Sequence, residues 1–145
     1  MPVTYNPAAE AAFNASIADA PMPAKTFFDQ VAGHFRSKDN TSVAYTLSNG
    51  RKGQMRIWAF WKKADGTEGK RVTATLHWQS RKQTVFVRCL LTPAEIKQRG
   101  FDAVDKPKAA TETLNCDWFL HEHDWSDRTV DIIAALDASA NKAGN

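Results

Sequence analysis

The feature that most constrains this chain is a series of four short stretches between residues 43 and 91 in which apolar and polar side chains alternate. Alternation of this kind is typical of strands that bury one face. Turn signals separate the stretches, and the first of them, Asn49–Gly50, is the strongest short-range signal for a hairpin. Because consecutive strands joined by short turns pair antiparallel, we predict a meander of four strands over residues 43–47, 54–63, 70–79 and 84–91.

Helix signals precede the predicted meander. Asn6–Pro7 is typical of a helix start, with the asparagine as the cap and the proline in the first helical position. Further along, Phe27, Val31 and Phe35 recur at intervals of four residues and form one apolar stripe. This spacing predicts a helix over residues 23–35.

Helix signals also follow the meander. Residues 92–95 form a capping box with proline in the first helical position, and Gly100 is placed to end the short helix that the box opens. The polar residues 101–114 predict a connecting loop, and the aromatic-rich residues 116–121 predict an extended segment. Ser126 is the expected cap of a final helix that reaches about residue 140. Its expected buried side consists of Val130, Ile133, Ala134 and Leu136.

These elements define an α+β fold, a four-stranded antiparallel meander sheet packed by an N-terminal helix and C-terminal helices. We expect a loosely ordered N-terminal arm over residues 1–22, a single α+β domain over residues 23–141 and a frayed tail over residues 142–145. The strand–strand–strand–strand–helix order is similar to the layout of Whirly-type single-strand DNA-binding folds. The similarity concerns the order of elements, and no shared motif accompanies it.

Composition excludes several classes of protein. The 145 residues are 43% hydrophobic and 24% charged, which is typical of one globular domain. No apolar run approaches the roughly 18 residues of a membrane span, and no signal peptide is evident. Two cysteines cannot form a disulfide framework, so we expect reduced thiols and a cytoplasmic protein, with Cys89 packed in the core.

Charge is segregated along the chain. Residues 41–108 contain fourteen basic and five acidic side chains, a net charge of +9. Residues 109–145 contain two basic and seven acidic side chains, a net charge of −5. A basic middle and an acidic end indicate two surfaces with different partners.

Alternation also divides the strand residues between two faces of the predicted sheet. One set is uniformly apolar and should be the core face beneath the helices. It comprises Met55, Ile57, Ala59, Trp61, Val72, Ala74, Leu76, Trp78, Val85, Val87, Cys89 and Leu91. The other set mixes large aromatic rings with basic side chains, and it comprises Arg56, Trp58, Phe60, Lys62, Arg71, Thr73, Thr75, His77, Thr84, Phe86, Arg88 and Leu90.

Aromatic rings interleaved with arginines are typical of platforms for nucleic acids, because rings stack on bases while cations neutralise phosphates. We therefore predict a small non-enzymatic protein that binds nucleic acid, single strands in particular, through this second face. The basic side chains of the turns would extend the positive surface to the edge of the sheet. The predicted contacts are Arg56, Trp58, Phe60, Lys62, Arg71, His77, Arg81, Lys82, Phe86 and Arg88.

Other interpretations of the same patch stay open. The chain itself could cover the aromatic side chains as a second core face. Alternatively, the aromatic patch or the acidic C-terminal region could dock a protein, as in an adaptor or inhibitor, since tryptophan, phenylalanine and arginine are enriched in interfaces. A homodimer would be one form of this arrangement.

A few residues could bind a metal ion or act in catalysis. Cys116, His121 and His123 lie close together in the sequence and are the candidate metal ligands, with Asp124 beside them. The two histidines and His77 could also act as acid–base groups. The sequence lacks a Cys-x-x-Cys pair, a phosphate-binding loop and a nucleophile motif. We therefore predict no cofactor and favour a non-enzyme, with a His-dependent enzyme or metal-binding protein as the third interpretation.

Overall fold

The computed structural model describes residues 6–47, 53–104, 114 and 116–143. These residues form five helices and six strands. In the described ranges, none of the helices combines the length and the apolar character needed to cross a bilayer. In chain order the elements are α1 (Pro7–Ser16), α2 (Met22–Arg36), β1 (Thr41–Leu47), β2 (Gly53–Lys62), β3 (Glu68–Gln79), β4 (Thr84–Cys89), α3 (Pro93–Gln98), β5 (Asp102–Val104), β6 (Cys116–Leu120), α4 (Glu122–Asp127) and α5 (Thr129–Asn141).

The strands form one antiparallel sheet in the order β1-β2-β3-β4-β6-β5. The meander β1–β4 and the helices at both ends confirm the α+β prediction, whereas the predicted number of four strands was wrong. β6 arises from the segment that was expected to be extended. β5 lies in the expected loop and has only three residues, which is too short for an alternation pattern. The Asn49–Gly50 turn falls outside the described residues.

α1 packs tightly on the start of β2. Asn6 caps the helix by accepting a hydrogen bond from a first-turn N–H at 3.0 Å. Phe13 is 2% exposed, and its ring centroid lies 5.2 Å from that of Phe28 and 5.0 Å from that of Tyr45. A Cβ on Gly53 would overlap the backbone of Phe13, so the helix rests directly on the strand. The described part of residues 1–22 therefore contains a helix that contributes to the core.

The capping box predicted for α3 is confirmed. The backbone N–H of Glu95 donates to the Thr92 hydroxyl at 3.2 Å, and the Thr92 N–H donates to the Glu95 carboxylate at 3.0 Å. Gly100 follows the helix with a φ of 87°, a left-handed conformation that glycine adopts without a Cβ clash. Here local sequence chemistry sets both ends of the element.

The predicted final helix corresponds to α5, which begins at Thr129. A separate helix that was not predicted, α4, precedes it, and the two meet at the non-helical residue Arg128 (φ −120°, ψ 29°). Ser126 lies inside α4 and donates to a carbonyl of its own helix, so its prediction as a cap was wrong. The Arg128 guanidinium donates to the carbonyls of Arg99 and Gly100 at 2.8 and 2.9 Å. It also lies 3.9 Å from the centroid of the Phe101 ring. This tertiary anchor accounts for the break, which no local signal marks.

The buried side of α5 also differs from the prediction. Val130 is 82% exposed and Ala134 is exposed, although both were expected to be buried. Ile132 and Leu136 are fully buried instead, and Ile133 is partly buried against the core. The prediction is thus confirmed for Leu136, confirmed in part for Ile133 and wrong for Val130 and Ala134, because α5 packs on the core through Ile132, Ala135 and Leu136.

The core lies on one side of the sheet. Buried side chains from all five described helices form a single cluster with apolar side chains of the sheet. The sheet residues of this cluster include most of the predicted core face. They are Met55, Ile57, Ala74, Leu76, Trp78, Val85, Val87, Cys89, Cys116, Trp118 and Leu120.

One irregularity changes the faces of β3. Ile57 pairs with Ala74, but the next residue, Trp58, pairs with Val72, so Thr73 is an extra residue in the ladder. Such a bulge restarts the alternation of faces. Val72 is therefore on the side of Trp58 and not on the core face, where simple alternation predicted it.

Candidate functional site

The sheet surface that faces away from the helices, here called the outer face, is the candidate site. Within the described residues, the core cluster that joins helices to sheet contains no side chain from this surface. Its large aromatic side chains are half-buried and not enclosed. By strand pairing the outer face comprises Ser42, Ala44 and Thr46 on β1, Arg56, Trp58, Phe60 and Lys62 on β2, Glu68, Lys70, Val72, Thr75 and His77 on β3, Thr84, Phe86 and Arg88 on β4, Asp117 and Phe119 on β6, and Asp102 and Val104 on β5.

Three rings form a row across the outer face. Phe86 on β4 pairs with His77 on β3 and with Phe119 on β6. The centroids of Phe86 and His77 are 5.0 Å apart with the rings stacked, and those of Phe86 and Phe119 are 5.2 Å apart with the rings edge to face. The row therefore presents a continuous aromatic surface that spans three strands.

A basic region lies farther along β2 and β3 on the same face. The Lys70 Nζ lies 5.8 Å from the centroid of the Trp58 ring, and Phe60 is directly opposite Lys70 in the ladder. Arg56 and the exposed Lys62 lie on the same side of β2. Cations next to the face of an indole ring are a favourable arrangement in proteins and in contacts with bases.

The bulge changes which basic residue of β3 belongs to this region. Alternation predicted Arg71 on the outer face, but Arg71 pairs with Ala59 on the helix-packed side. Lys70 takes the predicted position beside Trp58. Sequence reasoning missed Lys70 because no local pattern marks the extra residue at Thr73.

Acidic side chains also lie on the outer face. Glu68 on β3 is directly opposite Lys62, and β5 and β6 contribute two further acids. The Asp117 carboxylate, only 5% exposed, accepts a hydrogen bond from Arg88 Nε at 2.7 Å, and Arg88 also lies 5.4 Å from the Phe86 ring centroid. At the edge of the sheet, His121 Nε2 lies 2.8 Å from a carboxylate oxygen of Asp102. The sequence prediction missed Asp102 and Asp117 because β5 and β6 were not assigned to the sheet. The alternation within residues 116–120 does place Asp117 and Phe119 on one side.

Three polar atoms near the centre of the outer face are shielded from solvent. They are Arg56 Nε, Trp58 Nε1 and Thr75 Oγ1, and none has a hydrogen-bond partner among the described residues. Arg56 and Thr75 are directly opposite each other in the ladder. A buried polar group without a partner costs about 1–3 kcal/mol, so this part of the face retains hydrogen-bonding capacity.

The two remaining predicted contacts lie at the end of the sheet. Arg81 and Lys82 are exposed in the turn between β3 and β4, next to His77. Leu90 was expected on the outer face, but β4 ends at Cys89. Leu90 is 3% exposed, and its N–H bonds to Ser139.

The candidate metal ligands are not brought together. Cys116 is fully buried and pairs with Cys89 on the core side, whereas His121 bonds to Asp102 and His123 lies 3.2 Å from Asp124. Among the described residues, no group of three histidine, cysteine, aspartate or glutamate side chains has a geometry that could hold a metal ion. Burial raises the pKa of the Cys89 thiol to about 11, which fits a packed, unreactive thiol.

Comparisons with known proteins return no relative. The chain matches no family model, no curated protein and no solved structure. The site must therefore be interpreted from its own geometry and chemistry.

Proposed function

We propose that this protein is a small non-enzymatic nucleic-acid-binding protein that holds single strands on the outer face of its sheet. The observation that supports this best is that one sheet face carries both the half-buried row of His77, Phe86 and Phe119 and, farther along β2 and β3, Trp58 with Lys70 next to its ring. Unstacked bases of a single strand would lie on these rings, and each stacked base contributes about 1–3 kcal/mol. A duplex keeps its bases inside and could not use them.

Phosphates would lie along the basic region of β2 and β3. Arg56, Lys62 and Lys70 share this side of the sheet, where Glu68 is directly opposite Lys62. Arg88 contributes less because Asp117 already neutralises part of its charge. With three phosphate contacts, log K should fall against log salt with a slope of about −2.

The primary test is a fluorescence titration of the full chain with oligo-dT and with a duplex of the same length at two salt concentrations. We expect oligo-dT to bind more tightly, to quench tryptophan emission and to be released by salt. Equal affinity for the duplex, or no binding of oligo-dT at low salt, would contradict the proposal.

Matched variants on the two sides of the sheet locate the contact. Trp58→Ala should weaken oligo-dT binding by about tenfold or more because a stacked base is lost. Trp61→Ala removes an indole from the opposite side of the same strand and should leave the affinity unchanged. Similarly, Lys70→Gln should weaken binding, and Arg71→Gln should have little effect. Far-ultraviolet circular dichroism of each variant confirms that the fold is retained.

Protein docking is the second candidate, and the acids on the outer face favour it. Asp102 and Asp117 make one side of the aromatic row acidic while the other side is basic, an arrangement suited to a partner of mixed charge. The substitution Asp117→Asn distinguishes the two candidate functions, because its expected effect on binding differs in sign. For nucleic acid, loss of the carboxylate frees Arg88 and should strengthen binding several-fold with a steeper salt slope. For a protein partner that pairs with the acid, the same change should weaken binding.

A further inference from the structure

A groove of about 800 Å³ lies at the end of the sheet, between α1 and the turn that joins β3 to β4. One wall consists of small side chains of α1 and of the residues just after it, Ala12, Ala15, Ser16 and Ala18, and these leave the groove open. Pockets of about 300–1,000 Å³ are typical sites for small organic ligands. The groove is therefore large enough for a nucleotide.

The opposite wall is basic and is continuous with the outer face. Arg81 and Lys82 line the groove from the turn, and His77, whose ring stacks on Phe86, lines it as well. The acidic group in the lining, Asp19, accepts a hydrogen bond from the Ser80 hydroxyl at 3.2 Å. Two cations against one such carboxylate give the groove a preference for an anionic ligand.

We propose that this groove binds the phosphate-bearing end of a single strand whose neighbouring bases lie on the outer face. The proposal rests on the proposed function, and His77 is the residue that joins the two surfaces. The terminal phosphate, with its extra negative charge, would contact Arg81 and Lys82, and the last base would lie against the alanine wall of α1. The protein would thus recognise strand ends as well as strands.

The experiment compares oligo-dT in four forms: circular, linear without a terminal phosphate, linear with a 5′-phosphate and linear with a 3′-phosphate. Binding is followed by tryptophan emission, so that no label occupies an end. We expect one of the phosphorylated forms to bind about tenfold more tightly than the circle, the scale of one charge-assisted contact.

Two variants test the groove itself. Arg81→Gln combined with Lys82→Gln should reduce the phosphorylated strand to the affinity of the circle, and it should weaken binding of the circle much less than binding of the phosphorylated strand. Ala15→Leu should also remove the extra affinity for the phosphorylated strand, because the larger side chain narrows the groove. Leucine is a good helix former, so α1 should be retained. Lys62→Gln, on the outer face, serves as the matched control and should weaken all four forms alike.

The outcomes separate this proposal from the proposed function. If the circle and the phosphorylated strand bind equally, or if the double variant weakens both equally, the strand-end site is overturned while the outer face remains a binding surface. If no form binds, the proposed function fails and the strand-end site fails with it. If free thymidine monophosphate binds the groove but no strand does, the groove is a small-molecule site and the proposal is again overturned.

Discussion

Ser139 is a single buried side chain that supports the register of the candidate site. It lies in α5, is 0% exposed, and its hydroxyl donates to the carbonyl of Thr73 at 2.7 Å. The same oxygen accepts a hydrogen bond from the N–H of Leu90 at 2.8 Å. Because Thr73 is the bulge residue that brings Lys70 beside Trp58, a helix on one side of the sheet stabilises the arrangement on the other.

Ser139→Ala should lower the free energy of unfolding by about 2–3 kcal/mol, because two buried hydrogen bonds are lost without compensation. Urea denaturation measures the change. Ser126→Ala is the matched control: its hydroxyl is exposed and bonds within α4, so we expect a change within about 0.5 kcal/mol. Equal effects of the two substitutions would show that the contact at the bulge contributes nothing specific.

The helices and strands that depend on local sequence patterns were predicted correctly. Those that depend on contacts with residues distant in the sequence were not. The meander, α2 and the capping box of α3 follow from alternation, spacing and cap chemistry, all of which are local. β5 exists because β6 offers an edge to pair with, and the break at Arg128 exists because two distant carbonyls and the Phe101 ring hold that side chain. The bulge at Thr73 likewise depends on a contact with another element.

The packing of α1 on β2 gives a prediction at this scale. Gly53→Ala should lower the free energy of unfolding by about 1–3 kcal/mol, because the new methyl group would overlap the backbone of Phe13 and force the helix away. Gly33→Ala is the opposite case. This glycine lies in α2 with nothing within 4 Å of an added Cβ, so alanine should raise stability by about 0.5–1 kcal/mol. Thermal unfolding of both variants tests the pair, and the same sign for both would contradict it.

In the whole molecule, the two sides of the sheet differ in what covers them. Helices cover one side and form the core, and the outer face holds aromatic and charged side chains. The sequence predicted Trp58, Phe60, His77 and Phe86 on this face, but it missed Phe119, which joins the face through β6. It overestimated the positive charge, because Asp117 and Asp102 join the face only through strands that pair from a distance. Charge counted along the chain therefore does not equal charge on a surface.

The stability of the whole molecule at alkaline pH depends on how far folding raises the pKa of its buried thiol. Burial raises the pKa of the Cys89 thiol from its ordinary value of 9.0 to about 11, so folding favours the neutral thiol. A raised pKa contributes stability that is fully present below pH 9 and is lost as the pH rises to 11. The full loss corresponds to roughly 3 kcal/mol.

Urea unfolding at pH 8, 9, 10 and 11 measures this loss. Burial also raises the pKa of Tyr45, so the wild-type curve alone mixes two groups above pH 10. The difference between wild type and Cys89→Ala isolates the thiol. The variant should be less stable at pH 8, because a buried side chain is truncated, and the gap should shrink steadily as the pH approaches 11. Parallel curves for the two proteins would mean that the thiol ionises equally in both states, which is incompatible with its burial beneath the helices.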